Sequence, residues 1–102
     1  MRPAPALAVL DRLVGEPIDR AVLAALAEVV DTATAAFEGF EHARALEAAE
    51  SFFWTFCDDY IELVKDRAND FDGSHDAAAV RSARAALAIA VDTLVRLFAP
   101  FL

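Results

Sequence analysis

The sequence predicts an all-α fold, an antiparallel up-down bundle of three long helices with a short helix in front of them. Three observations carry this. The four prolines, Pro3, Pro5, Pro17 and Pro100, leave residues 18–99 without a proline break. Alanine, the best helix former, is abundant in that stretch. Apolar residues recur there at spacings of three and four in three separate segments, the period of a helix with one buried face. At 102 residues and 58% hydrophobic content, the chain is sized for one domain with one core, residues 1–102, and is too apolar to be disordered.

The short leading helix is expected over Ala6–Val14, through Leu7, Leu10, Leu13 and Val14, with Gly15 as its C-terminal cap. The first long helix is expected from Pro17 to about Glu41. Its stripe is Ile18, Val22, Ala25, Val29, Ala33, Ala36, Phe37 and Phe40. Pro17 suits a first helical turn, Glu16 and Asp19 suit the positive end of the helix dipole, and Gly39 marks a late interruption.

The second helix is expected from His42 to about Asn69. Leu46, Ala49, Phe53, Phe56, Tyr60, Leu63 and Arg67 step along it by three and four, and Phe52, Trp54, Cys57, Ile61 and Val64 widen the face. A helix apolar over so much of its surface must meet at least two neighbours. Asn69–His75 is turn-rich and reads as a loop. The third helix is expected from Asp76 to about Phe98, capped by Asp76 or Ser74, with the stripe Val80, Ala83, Leu87, Ala90, Val91, Leu94, Leu97 and Phe98. Pro100 should stop it.

Composition limits the function classes. The net charge is −8, whereas an isolated polynucleotide binder is usually basic, because phosphate neutralisation dominates its affinity. The acidic excess lies in residues 17–72. Residues 73–102 carry a slight basic excess, Arg81, Arg84 and Arg96 against Asp76 and Asp92. Cys57 is the only cysteine, so an internal disulfide and a thiolate metal cluster are both excluded, and a reducing, cytoplasmic setting is expected. No run of about 18 uncharged apolar residues exists, so no membrane span is expected. The apolar start Met1–Leu10, with Arg2 and two prolines in it, is at the short end of what a signal peptide's apolar region needs, so none is expected.

The segment Phe52-Phe53-Trp54-Thr55-Phe56-Cys57-Asp58-Asp59-Tyr60-Ile61-Glu62-Leu63-Val64-Lys65 resembles the second helix of the anticodon-binding helical domain of class I valyl-tRNA synthetases. An aromatic pair with Trp, then Phe-Cys-Asp-x-Tyr, then an apolar-Glu-Leu-apolar-Lys ending carries the likeness. Pro17-Ile18-Asp19-Arg20 is similar to the start of that family's preceding helix, and Leu94–Leu102 to the stretch before the domain's exit. The three pieces fall in family order across residues 17–102. The resemblance implies a tRNA anticodon-recognition module for valine tRNA, part of a cytoplasmic, ATP-dependent valine–tRNA ligase whose remaining domains are its partners. It places no catalytic residue here. The His-x-Gly-His and Lys-Met-Ser-Lys-Ser type motifs are absent, and ATP belongs to the parent enzyme, so no cofactor is expected in this chain. Residues 1–16 do not resemble the family's opening helix, and the apolar end Leu97–Leu102 stops abruptly. The chain is therefore expected to be a piece of a longer polypeptide, truncated at both ends relative to the family. Ala21 stands where many relatives carry an aromatic after the Asp-Arg pair, which weakens a stacking role at that position.

Residue types then set the candidate sites. Lys65, Arg67, Arg81 and Arg84 are the candidate RNA-binding residues, because the loop over 69–75 brings the end of the second helix beside the start of the third. Scattered, solvated charges are the plain alternative. Trp54, Phe56 and Tyr60 are stacking candidates by type, but their place in the stripe favours the core. Asp58, Asp59 and Glu62 lack the histidine spacing of a bundle metal site, so no metal is expected, and Asp58 is expected to pair with Arg20 or Arg96. Cys57 reads as a small buried hydrophobe. The competing reading is a structural or protein-interaction bundle without RNA binding, self-associating as a homo-oligomer through its apolar ends.

Overall fold

The computed structural model describes residues 13–102. Helix α1 runs Pro17–Glu38, α2 His42–Thr55, α3 Ile61–Asn69 and α4 Ala77–Phe98. A π-helical turn, Phe56–Tyr60, joins α2 to α3, and a 3₁₀ turn, Ala99–Phe101, follows α4. The described residues are all-helical and contain no strand, with three helical rods as the sequence predicts. The expected short helix over 6–14 lies outside the described residues apart from its last two positions, of which Val14 is fully buried. Among the described residues no helix is long and apolar enough to cross a membrane.

The ends of the rods have local causes. Pro17 occupies the first turn of α1, where a missing N–H costs nothing. Gly39 ends it, its N–H donating back to the Ala35 carbonyl at 3.0 Å, so α1 stops three residues short of the expected Glu41. The link to α2 holds Phe40 at φ 58°, in the left-handed region. Asp70 takes the same conformation at the end of α3, with φ 47°. Asp76 caps α4, its carboxylate accepting from the Ala78 N–H at 3.0 Å. Of the two caps the sequence offers, the chain uses Asp76.

The π turn is the part of the second rod that periodicity does not foresee. Its buried positions include Phe52, Phe56, Tyr60 and Val64, three consecutive steps of four. In an unbroken α-helix those steps would carry Val64 about 120° around the rod from Phe52. One inserted residue in a π turn resets the drift, and all four face the core. Phe52, Phe56 and Tyr60 stack along the rod, with ring centroids 6.0 and 5.6 Å apart.

Two hydrophobic clusters hold the rods together. The larger joins Val14, Leu26, Phe52, Phe56, Tyr60, Val64, Ala86, Ala90 and Leu94. The smaller is built on Ala33, Ala36 and Ala45, with Phe37, Leu97 and Phe101 packed over it. Alanine at those three positions lets α1 and α2 approach closely near their connecting turn.

The stripe expected on α1 needs correction. Its fully buried positions are Asp19, Leu26, Ala33 and Ala36. Ile18, Ala25 and Phe40, expected to face the core, are exposed. Instead Ile18, Val22 and Val29 form one wall of an open apolar groove of about 620 Å³. Phe52, Phe56 and Leu63 form its other wall. Ala33 and Ala36 of the expected stripe are buried, and Val22, Val29 and Phe37 pack against the core clusters, so periodicity finds most of the inward face of α1 and misses that it also runs through Leu26 and a charged residue, Asp19.

Candidate nucleic-acid interface

One end of the molecule gathers the start of α1, the end of α3, the 70–76 loop and the start of α4. Its centre is Asp19, fully buried in the first turn of α1. The Tyr60 hydroxyl donates to Asp19 Oδ1 at 2.6 Å, and the Ser82 hydroxyl to Oδ2 at 2.6 Å. Arg67 grips the same carboxylate with two nitrogens, Nη1 to Oδ2 at 2.6 Å and Nη2 to Oδ1 at 2.8 Å. Each carboxylate oxygen therefore accepts two hydrogen bonds. Arg67 Nη1 also donates to the Ala79 carbonyl at 2.9 Å, and the Glu16 N–H donates to Ser82 Oγ at 3.1 Å. Three rods and the segment before α1 meet at one ion.

A buried carboxylate without partners would take up a proton. Burial does push the Asp19 carboxyl up. The hydrogen bonds from Arg67, Ser82 and Tyr60, with the guanidinium charge, outweigh that and hold it below the ordinary aspartate value. Burial, and then the hydrogen bond to the Asp19 anion, drive the Tyr60 phenol far above its usual range. The hydrogen bond to Asp19 raises Arg67. Asp19 is thus an anion and Arg67 a cation throughout the range in which proteins work. Among the described residues, no buried side-chain nitrogen or oxygen lacks a partner.

This network corrects the ion pair expected from the sequence. Asp58 is exposed on the π turn. Arg20 donates to the Val14 carbonyl at 2.7 Å, and Arg96 pairs with Asp92 at 3.2 Å on the surface of α4. The buried carboxylate is Asp19 and its cation is Arg67. A sequence signal exists for both. Asp19, Leu26 and Ala33 share a seven-residue spacing, and Arg67 continues the apolar stripe of its own rod, so each charge occupies a position that packs inward.

The candidate RNA-binding residues separate accordingly. Arg67 is spent on Asp19 and Ala79, with its side chain 15% exposed, so it is a framework residue. Lys65 is exposed on α3 and paired with Glu62 at 2.7 Å. Arg81 and Arg84 are exposed near the start of α4. Arg84 reaches across, its Nε donating to the Ala68 carbonyl at 2.7 Å, so a guanidinium covers the last turn of α3 at the foot of the loop.

Of the stacking candidates, Phe56 and Tyr60 are buried, as their stripe implies. Trp54 is exposed, its ring edge-on to Phe53 at 5.4 Å. Cys57 is half-buried with a free thiol. Asp58 and Asp59 stay exposed. The carboxylates that converge are others: Asp70 and Asp72 come together with His75 in the loop, their ligand-type atoms within 4.8 Å of one another. Hydrogen bonds inside the loop account for that convergence. Asp70 Oδ1 lies 3.1 Å from both the His75 N–H and Nδ1, and Asp72 Oδ1 accepts from Ser74 N at 3.0 Å and Oγ at 2.7 Å. The Ser74 hydroxyl is the main cause that lowers the Asp72 carboxyl below its usual value.

Comparison with known proteins adds the family. Residues 19–102 match the family model described as the anticodon-binding domain of tRNA ligase. The chain is 60% identical over 89 residues to a valine–tRNA ligase of Salinispora tropica, covering 87% of this chain and 10% of the relative. It is 61% identical over 89 residues to that of Thermobifida fusca, with the same coverage of 87% and 10%. It is 55% identical over 86 residues to that of Cutibacterium acnes, covering 84% and 10%. The chain thus spans about a tenth of the length of the curated relatives it matches. No solved structure matches it. With most of its residues inside the family model and relatives this similar, the chain belongs to the anticodon-binding domain family of tRNA ligases.

Proposed function

We propose that this chain is the anticodon-recognition module of a valyl-tRNA synthetase, reading the anticodon loop of valine tRNA while aminoacylation takes place elsewhere in the parent enzyme. The observation that carries the reading is the family match over residues 19–102 together with relatives named as valine–tRNA ligases. On this reading residues 1–102 act as one domain, its partners are tRNA and the remaining synthetase domains, its setting is cytoplasmic, and ATP belongs to the parent.

The reading includes an antiparallel up-down course of the rods. Asp19 at the start of α1 meets Arg67 at the end of α3 and Ser82 near the start of α4, which supports it. Phe37 at the end of α1 stacks on Phe101 beyond α4, with centroids 5.6 Å apart. In that arrangement Lys65, Arg81 and Arg84 sit at one end of the bundle and supply the phosphate contacts, with Arg67 behind them as framework.

The net charge of −8 and the open apolar groove favour one competing reading, a self-associating bundle without RNA contacts. A titration with valine tRNA and with a tRNA of different anticodon, at low and moderate salt, separates the two. The RNA reading expects tighter binding to valine tRNA, weakening with salt by a logarithmic slope of about 0.7 for each phosphate neutralised in the single-stranded loop. Absence of binding at both salts, with a molecular mass that rises with protein concentration, supports the self-associating bundle instead.

A further inference from the structure

We propose that Phe71 is a base-stacking residue, the aromatic platform of the end that carries Arg81 and Arg84; the inference rests on the RNA reading above and deepens it. Phe71 is 91% exposed, the most exposed aromatic side chain among the described large hydrophobics. Leaving a phenyl ring in water forfeits the burial that aromatic residues normally gain.

The backbone holds it there. The Asp70 N–H donates to the Asp66 carbonyl at 2.8 Å and ends α3, and the Gly73 N–H donates to the Asp70 carbonyl at 3.1 Å. Phe71 and Asp72 are therefore the two central residues of a hydrogen-bonded turn, from which the Phe71 ring stands out into solvent. Asp70 at φ 47° and Gly73 at φ 70° set the turn's shape. The bonds from His75 to Asp70 and from Ser74 to Asp72 close the loop on itself. A ring displayed by a built loop binds at less ordering cost than one on a loose segment.

Asp70 and Asp72 flank the ring. One oxygen of each carboxylate is turned back onto the loop's own donors. Arg84 stands at the loop's foot, bonded to Ala68, and Arg81 lies one turn earlier on α4. The loop also opens the one section of the sequence with a basic excess.

Phe40 provides the contrast. It is 85% exposed, also in a left-handed turn, but at the other end of α1. Glu38 and Glu41 flank it, and the nearby Arg44 is paired with Glu41 at 3.4 Å. A ring on the same end as arginines that pair with no carboxylate among the described residues suits the face of an unpaired base next to a phosphate, and of the two exposed phenylalanines compared it is Phe71 that shares its end with such arginines, Arg81 and Arg84.

The test is the affinity of the chain for the anticodon-arm hairpin of a valine-accepting tRNA, measured for the unsubstituted protein and for Phe71→Ala, Phe71→Tyr and Phe40→Ala. Stacking on one base predicts that Phe71→Ala binds about 5- to 150-fold more weakly. Phe71→Tyr, which keeps a ring face, and Phe40→Ala should stay close to the unsubstituted chain. Binding to a fully paired RNA duplex should not respond to Phe71→Ala. Because Phe71 is exposed, its truncation should leave the helical circular dichroism unchanged. An unsubstituted chain that binds, beside a Phe71→Ala variant that binds equally well, overturns the stacking role and leaves the RNA reading in place. A variant that loses only self-association assigns Phe71 to a protein contact and overturns the proposal. An unsubstituted chain that does not bind the hairpin overturns the RNA reading and this inference together.

Discussion

The two ends of this bundle are held by opposite means. At one end, Asp19, Tyr60, Arg67 and Ser82 fix the rods through a buried ion and its hydrogen bonds. At the other, Ala33, Ala36 and Ala45 fix them through close approach, under the rings of Phe37 and Phe101. A cluster of alanines tolerates small slides of one helix on another. A carboxylate that accepts four hydrogen bonds does not, because any slip leaves a charge or a donor unpaired in the interior. Buried ions are weak evidence for net stability and better evidence for register. The ion stands at the end that carries the Phe71 loop and Arg81 and Arg84 of α4, so register is enforced at the end to which the proposed RNA contacts are assigned.

Breaking the polar end should cost most. Asp19→Ala leaves the Arg67 guanidinium uncompensated, and removing one partner of a buried pair costs about 3–5 kcal/mol. Chemical denaturation followed by circular dichroism measures it. Asp19→Asn should be comparably unstable, since it keeps the shape and loses the charge.

Acid attacks the same point. The folded-state Asp19 carboxyl lies below its ordinary value, so the unfolded chain binds the proton first as pH falls. The stability it contributes is fully present above the ordinary aspartate range. It drains away as pH drops through the depressed native value. In Asp19→Asn this part of the acid sensitivity should vanish, which thermal melts between neutral and strongly acidic pH would register.

Tyr60→Phe removes one hydrogen bond to a charged group and should cost about 1.5–3 kcal/mol, with the ring stack kept. At the alanine end, Ala36→Leu forces side-chain volume into a site built for a methyl group and should cost about 1–3 kcal/mol by overpacking. The two variants differ in kind. Ala36→Leu should push α1 and α2 apart near their turn and leave the acid profile unchanged, whereas Tyr60→Phe should move it. The smallest effect is expected on the surface. Arg96→Ala breaks only the exposed pair with Asp92 and should change stability by less than about 1 kcal/mol.

The sequence made the rods legible and their junction less so. Proline placement, alanine content and the three-and-four spacing locate α1, the second rod and α4 to within a few residues, because burial of one helix face writes itself as periodicity. The Phe52–Lys65 segment points to the family through specific residue types, and the comparisons bear that out. The π turn escaped because steps of four look like ordinary helix until the rod's rotation is followed across Phe52, Phe56, Tyr60 and Val64. The buried pair escaped for another reason. Asp19 at a helix start has a sufficient local explanation in the dipole, so its inward position went unread. Arg67, at the end of an apolar stripe, suits an RNA contact by residue type, but the stripe itself places it inside. Phe71, the proposed stacking residue, leaves no sequence signal, because a lone aromatic in a turn-rich segment has no period to stand out from.

The most direct test of the account is a nuclear magnetic resonance titration of the chain with the anticodon-arm hairpin of valine tRNA, following backbone amides at both ends of the bundle. Shifts concentrated at residues 65–84, with the amides of Phe37, Ala45 and Phe101 quiet, are the predicted result. Shifts confined to the alanine end, or none at any residue, would contradict it.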